Sequence, residues 1–276
     1  MTGADAALAP WRERWRLEAD GDAFATPSSI LQPVRRDDEP LYLKVATSHE
    51  ERAGNTVLAW WSGGGAAGAI EHEGDAVLLE RADGPRDLVA LARSGAAGDD
   101  AATRILCRTG LRLHTAGSGP RPDGLFSLRR WFRDLLDEGH HPAGASALYA
   151  EAATVAEELL AHPAGDVVLH GDLHHGNVLD FGSRGWLAID PKPLHGDPGF
   201  DVANILCNPD AAIALAPGRL ERAITVVSDE TGMPVRRVLQ WTFAWSALSA
   251  IWSEQAGADA SPAAGVAQRA RALLTG

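Results

Sequence analysis

Lysine is almost missing from this chain: of its 25 basic side chains only Lys44 and Lys192 are lysine, and the others are arginine. GC-rich coding gives such a bias without function, yet a planar guanidinium does not replace a compact ammonium where a point charge is needed. Both lysines fall inside the segments that carry the chemistry below. Cysteine is as scarce. Cys107 and Cys207 have no metal-ligand spacing and read as small buried hydrophobes in a reducing compartment. No apolar run approaches the roughly 18 residues of a membrane span. The first 17 residues, with Asp5, Arg12, Glu13 and Arg14, lack the apolar core of a signal peptide. A cytoplasmic protein without a membrane partner is expected. Positive charge is also short, the formal balance being −12. That disfavours nucleic acid, whose phosphates need clustered basic residues, and suits either a polycationic ligand or solubility alone.

What is present is an ordinary globular composition, 45% apolar and 22% charged over 276 residues, enough for one large domain or two lobes. Phe24 to Val34 and Leu41 to Ala46 read as strands joined by a polar turn from Arg35 to Pro40. Alternation in Leu41-Tyr42-Leu43-Lys44-Val45 sets Lys44 on the face opposite Leu41, Leu43 and Val45. A helix is expected from Ser48 to about Trp61, with Ser48-x-x-Glu51 as a capping box. Ala76 to Glu80 reads as a short strand, and the boundary falls at 80–85. Helices follow at about 87–95, 100–115, 127–138, 146–161, 219–231 and 235–254, with the alanine-rich 256–272 as weakly helical surface. The expected fold is α+β: a small β-rich lobe over 1–84 and a larger, mostly helical lobe over 86–276. A nucleotide between the two is a natural expectation, since clefts at such interfaces are common ligand sites.

The informative stretch is Val167-Val168-Leu169-His170-Gly171-Asp172-Leu173-His174-His175-Gly176-Asn177, continuing to Trp186-Leu187-Ala188-Ile189-Asp190-Pro191. Two apolar runs flank Gly182-Ser183-Arg184-Gly185, a hairpin signal. If Gly182 faces Gly185 and Phe181 faces Trp186, then Asn177 lies across from Asp190, with Cβ atoms roughly 5 Å apart. Two oxygen-bearing side chains so placed suit Mg²⁺, and Asp172 is left to face a substrate hydroxyl. A one-residue slip would destroy that register.

Asp172, Asn177 and Asp190 at this spacing resemble the catalytic Asp, metal-binding Asn and metal-binding Asp of the protein-kinase-like superfamily. His170-Gly171-Asp172 is similar to the form that aminoglycoside phosphotransferases use. With Gly199-Phe200-Asp201-Val202-Ala203-Asn204 and Trp60-x-x-Gly63-x-Gly65-Ala66, the chain from about Phe24 to Trp252 resembles the aminoglycoside 6-phosphotransferases. These are streptomycin kinases of the aminoglycoside/hydroxyurea resistance kinase family. The resemblance implies a bilobal kinase-like fold, ATP and Mg²⁺ as cofactors, and a small cationic acceptor met by a monomer.

It also implies roles. Asp172 accepts the acceptor's proton, Asn177 and Asp190 hold magnesium, and Lys44 contacts the phosphates. Glu51, with Glu50 in reserve, either orients Lys44 or only caps its helix. Thr26-Pro27-Ser28-Ser29 covers the phosphates, no G-x-G-x-x-G preceding Lys44, and the backbone of Glu80 to Ala82 meets adenine. His170, His174 and His175 brace the loop. Asp201 ties the loop down or meets a cationic substrate, and Lys192 touches phosphate or substrate or is an exposed loop charge. Trp245 is core or a substrate wall. Glu254, Asp134, Asp137 and Glu138 pair with guanidinium groups or are solvated faces. Only ten residues separate Asp190 from Asp201, which leaves no room for a protein kinase's activation segment. Three other readings stay open. Gly171-Asp172-Leu173-His174 matches the start of a metallophosphoesterase signature; a kinase of another hydroxylated amine or hydroxyurea-like compound is the second reading, and a nucleotide-binding pseudokinase the third.

Overall fold

The computed structural model describes residues 3–61, 63–117, 119–137, 141 and 147–276. Glu138 and the first residue of the expected 146–161 helix lie outside them.

Residues 18–80 build a six-stranded antiparallel sheet. Its strands run Glu18–Ala19, Ser29–Arg36, Glu39–Ala46, Ala76–Glu80, Ala69–Glu73 in spatial order, and Phe24–Ala25 pairs the second of these. The turn between the two long strands is shorter than expected. Arg36 pairs with Glu39, so Asp37 and Asp38 alone make it, both at positive φ. That is the twist a two-residue hairpin requires, and Asp is among the few side chains that tolerate it. The expected single strand from Phe24 to Val34 is itself folded back. The Thr26 hydroxyl accepts from the Ser29 amide at 3.0 Å and closes a second tight turn.

Alternation along Glu39–Ala46 works as expected. Leu41, Leu43 and Val45 face outward into a small core with Leu8, Trp15 and Leu17, while Tyr42 and Lys44 face a cleft. The helix supplying Leu8 and Trp15, Gly3–Trp15, was not expected. Its stripe Leu8, Trp11, Trp15 covers the sheet's outer face, with the two indoles 5.1 Å apart.

From Leu88 onward the chain is mainly helical. The long helix Val235–Gln255 buries Trp241, Phe243, Trp245 and Leu248 against Phe200–Cys207, Ala147–Ala161 and Ser261–Thr275. The last of these corrects the reading of 256–272 as surface: Val266, Ala267 and Ala270 are buried, and small side chains let two helices approach closely. The expected 127–138 helix is two single turns, Leu128–Trp131 and Arg133–Leu136, meeting at Phe132. Two short pieces of sheet sit among the helices. Val167–Leu169 pairs Leu194–Gly196, which also pairs Phe126–Ser127. The hairpin Val178–Asp180/Trp186–Ala188 lies beside it.

Candidate active site

The cleft between the sheet and this hairpin is a cavity of about 410 Å³. Leu31, Tyr42, Leu79, Leu179, Phe181 and Ile189 make most of its wall apolar, and Lys44, Asn177 and Asp190 line it as well. A largely apolar cavity with charged side chains in its lining fits a planar base carrying an anionic tail.

The hairpin's register is one residue off the expected one. Asp180, not Phe181, pairs with Trp186, because Gly182–Arg184 coils into a 3₁₀ turn and the Phe181 amide donates to Gly185 O at 2.8 Å. Asn177 therefore aligns with Ile189, whose amide donates to Asn177 O at 2.9 Å. Direct opposition of Asn177 and Asp190 is thus wrong. Both still line the one cavity, since Asp190 leaves the strand at φ 58°. Left-handed backbone is uncommon for Asp and marks a position fixed by its surroundings.

The Lys44 ammonium bridges the Glu51 and Asp190 carboxylates. Glu51 also accepts from the Ser28 and Ser29 hydroxyls, each at 3.0 Å. Ser48 caps the helix by accepting from the Glu51 amide at 3.1 Å, so the Glu51 side chain is the ion-pair partner and not the cap. Glu50 approaches Lys192 instead, at 3.9 Å. Burial pushes the Asp190 carboxyl up, but the Lys44 charge outweighs it and the group sits at about 2. It is therefore ionised across the physiological range. The Ser28 and Ser29 hydroxyls both hold Glu51; of the expected phosphate cover, Thr26 and Ser29 line the cavity and Ser28 does not. The Glu80 carboxylate is tied to the Gly68 amide and Arg184, and its residue lines the cavity with Ala82.

Asp172 lies at the end of the loop that leaves Val167–Leu169. Its carboxylate is one-third exposed. Oδ1 accepts from Asn204 Nδ2 at 2.8 Å, and Asn177 Nδ2 reaches Oδ2 at 3.3 Å and the backbone O at 2.9 Å. With the Asn177 nitrogen so engaged, its amide oxygen is the atom left for a cation. Asn177 and Asp190 are a hard-oxygen pair, the donor type that Mg²⁺ takes.

Residues 14–257 match the family model described as aminoglycoside/hydroxyurea antibiotic resistance kinase. The chain belongs to that family. It is a small-molecule kinase. Streptomycin 3''-kinase of Klebsiella pneumoniae is 49% identical over 245 residues, covering 87% of this chain and 90% of that protein. Streptomycin 6-kinase of Streptomyces glaucescens is 33% identical over 271 residues, covering 91% and 84%. The fold is that of a thermostable aminoglycoside phosphotransferase mutant solved with AMP-PNP and hygromycin B, at a TM-score of 0.68, 15% identity and 98% coverage of both chains.

The remaining expected residues of the kinase divide sharply. Asp201 is 1% exposed beneath the loop that carries Asp172, closed off from a substrate, where it accepts from the amides of His170 at 2.9 Å and Gly171 at 2.8 Å and pairs with His114 at 2.8 Å. Burial pushes its carboxyl up, but the His114 bond and charge hold it below the ordinary range. A depressed carboxyl stabilises the fold above that range, and the contribution is lost as pH falls through the lower folded value. Asp201→Ala strands two buried amides and an imidazole, and is expected to cost about 2–4 kcal/mol. Urea unfolding at neutral pH measures this, and a loss below about 0.5 kcal/mol would contradict the tie-down role.

Trp245 is no substrate wall either. It is buried against Phe200 and Trp252. Glu254 is exposed but accepts from the Tyr149 hydroxyl at 2.7 Å. Asp134 is buried and accepts from the Trp252 indole at 2.8 Å. Lys192 stands 3.8 Å from Glu51, so it is not a free loop charge.

His170 does brace the loop: its Nδ1 accepts from the Asp172 amide at 3.2 Å, which leaves Nε2–H to donate to Ile189 O at 2.9 Å. Burial pushes its pKa down and keeps it neutral for that task. His174 faces Asp172 Oδ1 at 3.8 Å. His175 braces nothing, since neither ring nitrogen of this buried side chain has a partner among the described residues. Sequence reasoning assigned no role to Asn204. Its signal was an amide in the buried helix Phe200–Cys207, which is apolar apart from Asp201 and Asn204 and where a polar group needs a partner.

Proposed function

We propose that the chain is an ATP- and magnesium-dependent O-phosphotransferase acting on streptomycin, with residues 1–84 as the nucleotide lobe and 80–85 as its hinge. The observation that carries this is the meeting of Lys44, Asn177 and Asp190 in one cavity, with Asp172 bonded to Asn177 at its edge.

In this reading the adenine occupies the apolar slot near Glu80 and Ala82, and Lys44 neutralises phosphate oxygens. Asn177 and Asp190 would hold Mg²⁺, which when bound would supply charge neutralisation to the triphosphate. The acceptor hydroxyl gives its proton to Asp172 as its oxygen bonds the γ-phosphorus. The bond from that phosphorus to the β–γ bridging oxygen breaks, releasing ADP. Phosphoryl transfer asks mainly for positioning and charge stabilisation, which is what these groups offer.

The resemblance drawn from the motifs points to the 6-hydroxyl. The 49% identity to a streptomycin 3''-kinase, against 33% to a 6-kinase, favours the 3''-hydroxyl instead. Purified protein with Mg-ATP and streptomycin is expected to yield drug carrying one added phosphoryl group, with the phosphorus coupled to the 3'' proton by NMR. Phosphorus at position 6 would reverse the regiochemistry. Inactivity on streptomycin with turnover of a hydroxyurea or a metabolic amine would remove the antibiotic.

A further inference from the structure

Asp172 is one-third exposed, and a carboxylate in that setting ordinarily samples several rotamers. Here one oxygen is held by a chain of bonds that runs into the core. Asn204 donates to Asp172 Oδ1 at 2.8 Å. Asn204 Oδ1 accepts from the Trp245 indole Nε1 at 3.2 Å and from Asn208 Nδ2 at 3.0 Å. An indole N–H can only donate, so the atom facing Trp245 has to be the amide oxygen. The two ends of an Asn amide are hard to tell apart by shape. In this case the indole decides between them, and the nitrogen has to face Asp172. Trp245 itself is fixed edge-on to Phe200 and Trp252, with ring centroids 5.3 and 5.6 Å away.

We propose that Asn204, oriented by Trp245, is a positioning residue that locks the Asp172 carboxylate for proton acceptance; this rests on Asp172 being the base. Oδ1 is engaged by the short Asn204 bond, while Oδ2 has only the 3.3 Å contact with Asn177. Oδ2 is then the atom that takes the hydroxyl proton. The device is built from the helix Phe200–Cys207 and the helix Val235–Gln255, so the helical core adds to the hold that Asn177 of its own loop has on the catalytic carboxylate.

Asn204→Asp is the sharpest test. It keeps the size and an oxygen for Trp245 and Asn208, and it sets an oxygen against Asp172 where a donor stood. With Mg-ATP and streptomycin, or Mg-ATP hydrolysis by water as the second probe, kcat is expected to fall about 10- to 100-fold. KM for both substrates should stay within about threefold, because uniform binding is not what is lost. Trp245→Phe keeps an aromatic ring beside Phe200 and Trp252 and removes the indole N–H together with some buried volume, so its melting temperature is read beside its kcat. It should lower kcat by less, and add little to Asn204→Asp in the double variant, as coupled residues do. Should Asn204→Asp fold poorly by thermal melting, Trp245→Phe and Asn204→Ala carry the same comparison. Wild-type kcat in a folded Asn204→Asp, or full additivity with Trp245→Phe, overturns the relay. An Asp172→Ala control separates the two claims: near-normal turnover there removes the base, whereas an inactive control beside an intact Asn204→Asp removes only the relay.

Discussion

Asp172→Ala is expected to lower kcat roughly 10³-fold, within the range that positioned acid–base groups supply, while Mg-ATP binds as before. The reason for the split is spatial. Lys44, Asn177, Asp190 and the apolar slot line the cavity, and Asp172 is not among its lining residues. The variant should stay folded, since the side chain is one-third exposed and the loop beneath it is held by Asp201. Single-turnover rates beside a nucleotide titration check this. Turnover within a few-fold of wild type would show that the acceptor loses its proton elsewhere.

Asp190→Asn is expected to act on the other side of the reaction. It removes the charge of one of the two carboxylates that flank the Lys44 ammonium, and leaves a neutral amide oxygen where the anionic donor to magnesium would stand. The Mg²⁺ concentration for half-maximal activity should rise at least about tenfold. Turnover should drop on the order of 10²- to 10³-fold, as for other losses of fixed charge stabilisation. Nucleotide affinity without magnesium should change far less. Because the wild-type carboxyl sits at about 2, its ionisation should leave no mark on the pH profile near neutrality. The bond to Lys44 stabilises the fold above the ordinary carboxylate range and is lost only as pH falls toward that value. An unchanged magnesium requirement would remove Asp190 from the metal.

Much of this site is legible from residue order because it rests on local rules. Alternation in Glu39–Ala46 turns Lys44 into the cleft whatever the sheet does elsewhere. The five-residue step from Asp172 to Asn177 stays within one loop, and an Asn177 N–H reaches back to the Asp172 backbone at 2.9 Å. What failed depended on a turn's exact conformation or on distant partners. Four residues at the hairpin tip gave two possible registers, and the 3₁₀ coil of Gly182–Arg184 chose the other one. The hydroxyls of Ser28 and Ser29, read as part of a phosphate cover, have a partner that residue order does not name. A buried Glu51, 22 and 23 residues away, had prior claim on their hydroxyls. Trp245 and Asn204 are 41 residues apart, and nothing in either segment names the other. The helix Gly3–Trp15 hid behind an internal Pro10, and the burial of Ser261–Thr275, read as weakly helical surface, behind a wealth of alanine that binary patterning undervalues.

The glycine-rich Gly63–Gly68 stretch has a mechanical consequence. Gly65 O accepts from Ala188 N at 2.9 Å, and Ala67 N donates to Ala188 O at 2.8 Å, so this segment lies as a third ribbon on the hairpin. It also follows directly from the helix His49–Trp61 that carries Glu51. Prying that helix off the hairpin would tear both bonds, so this side works as the closed spine of a book. No such bond crosses at Phe24 among those described: it lines the cavity from a strand of two residues and stands 46% exposed.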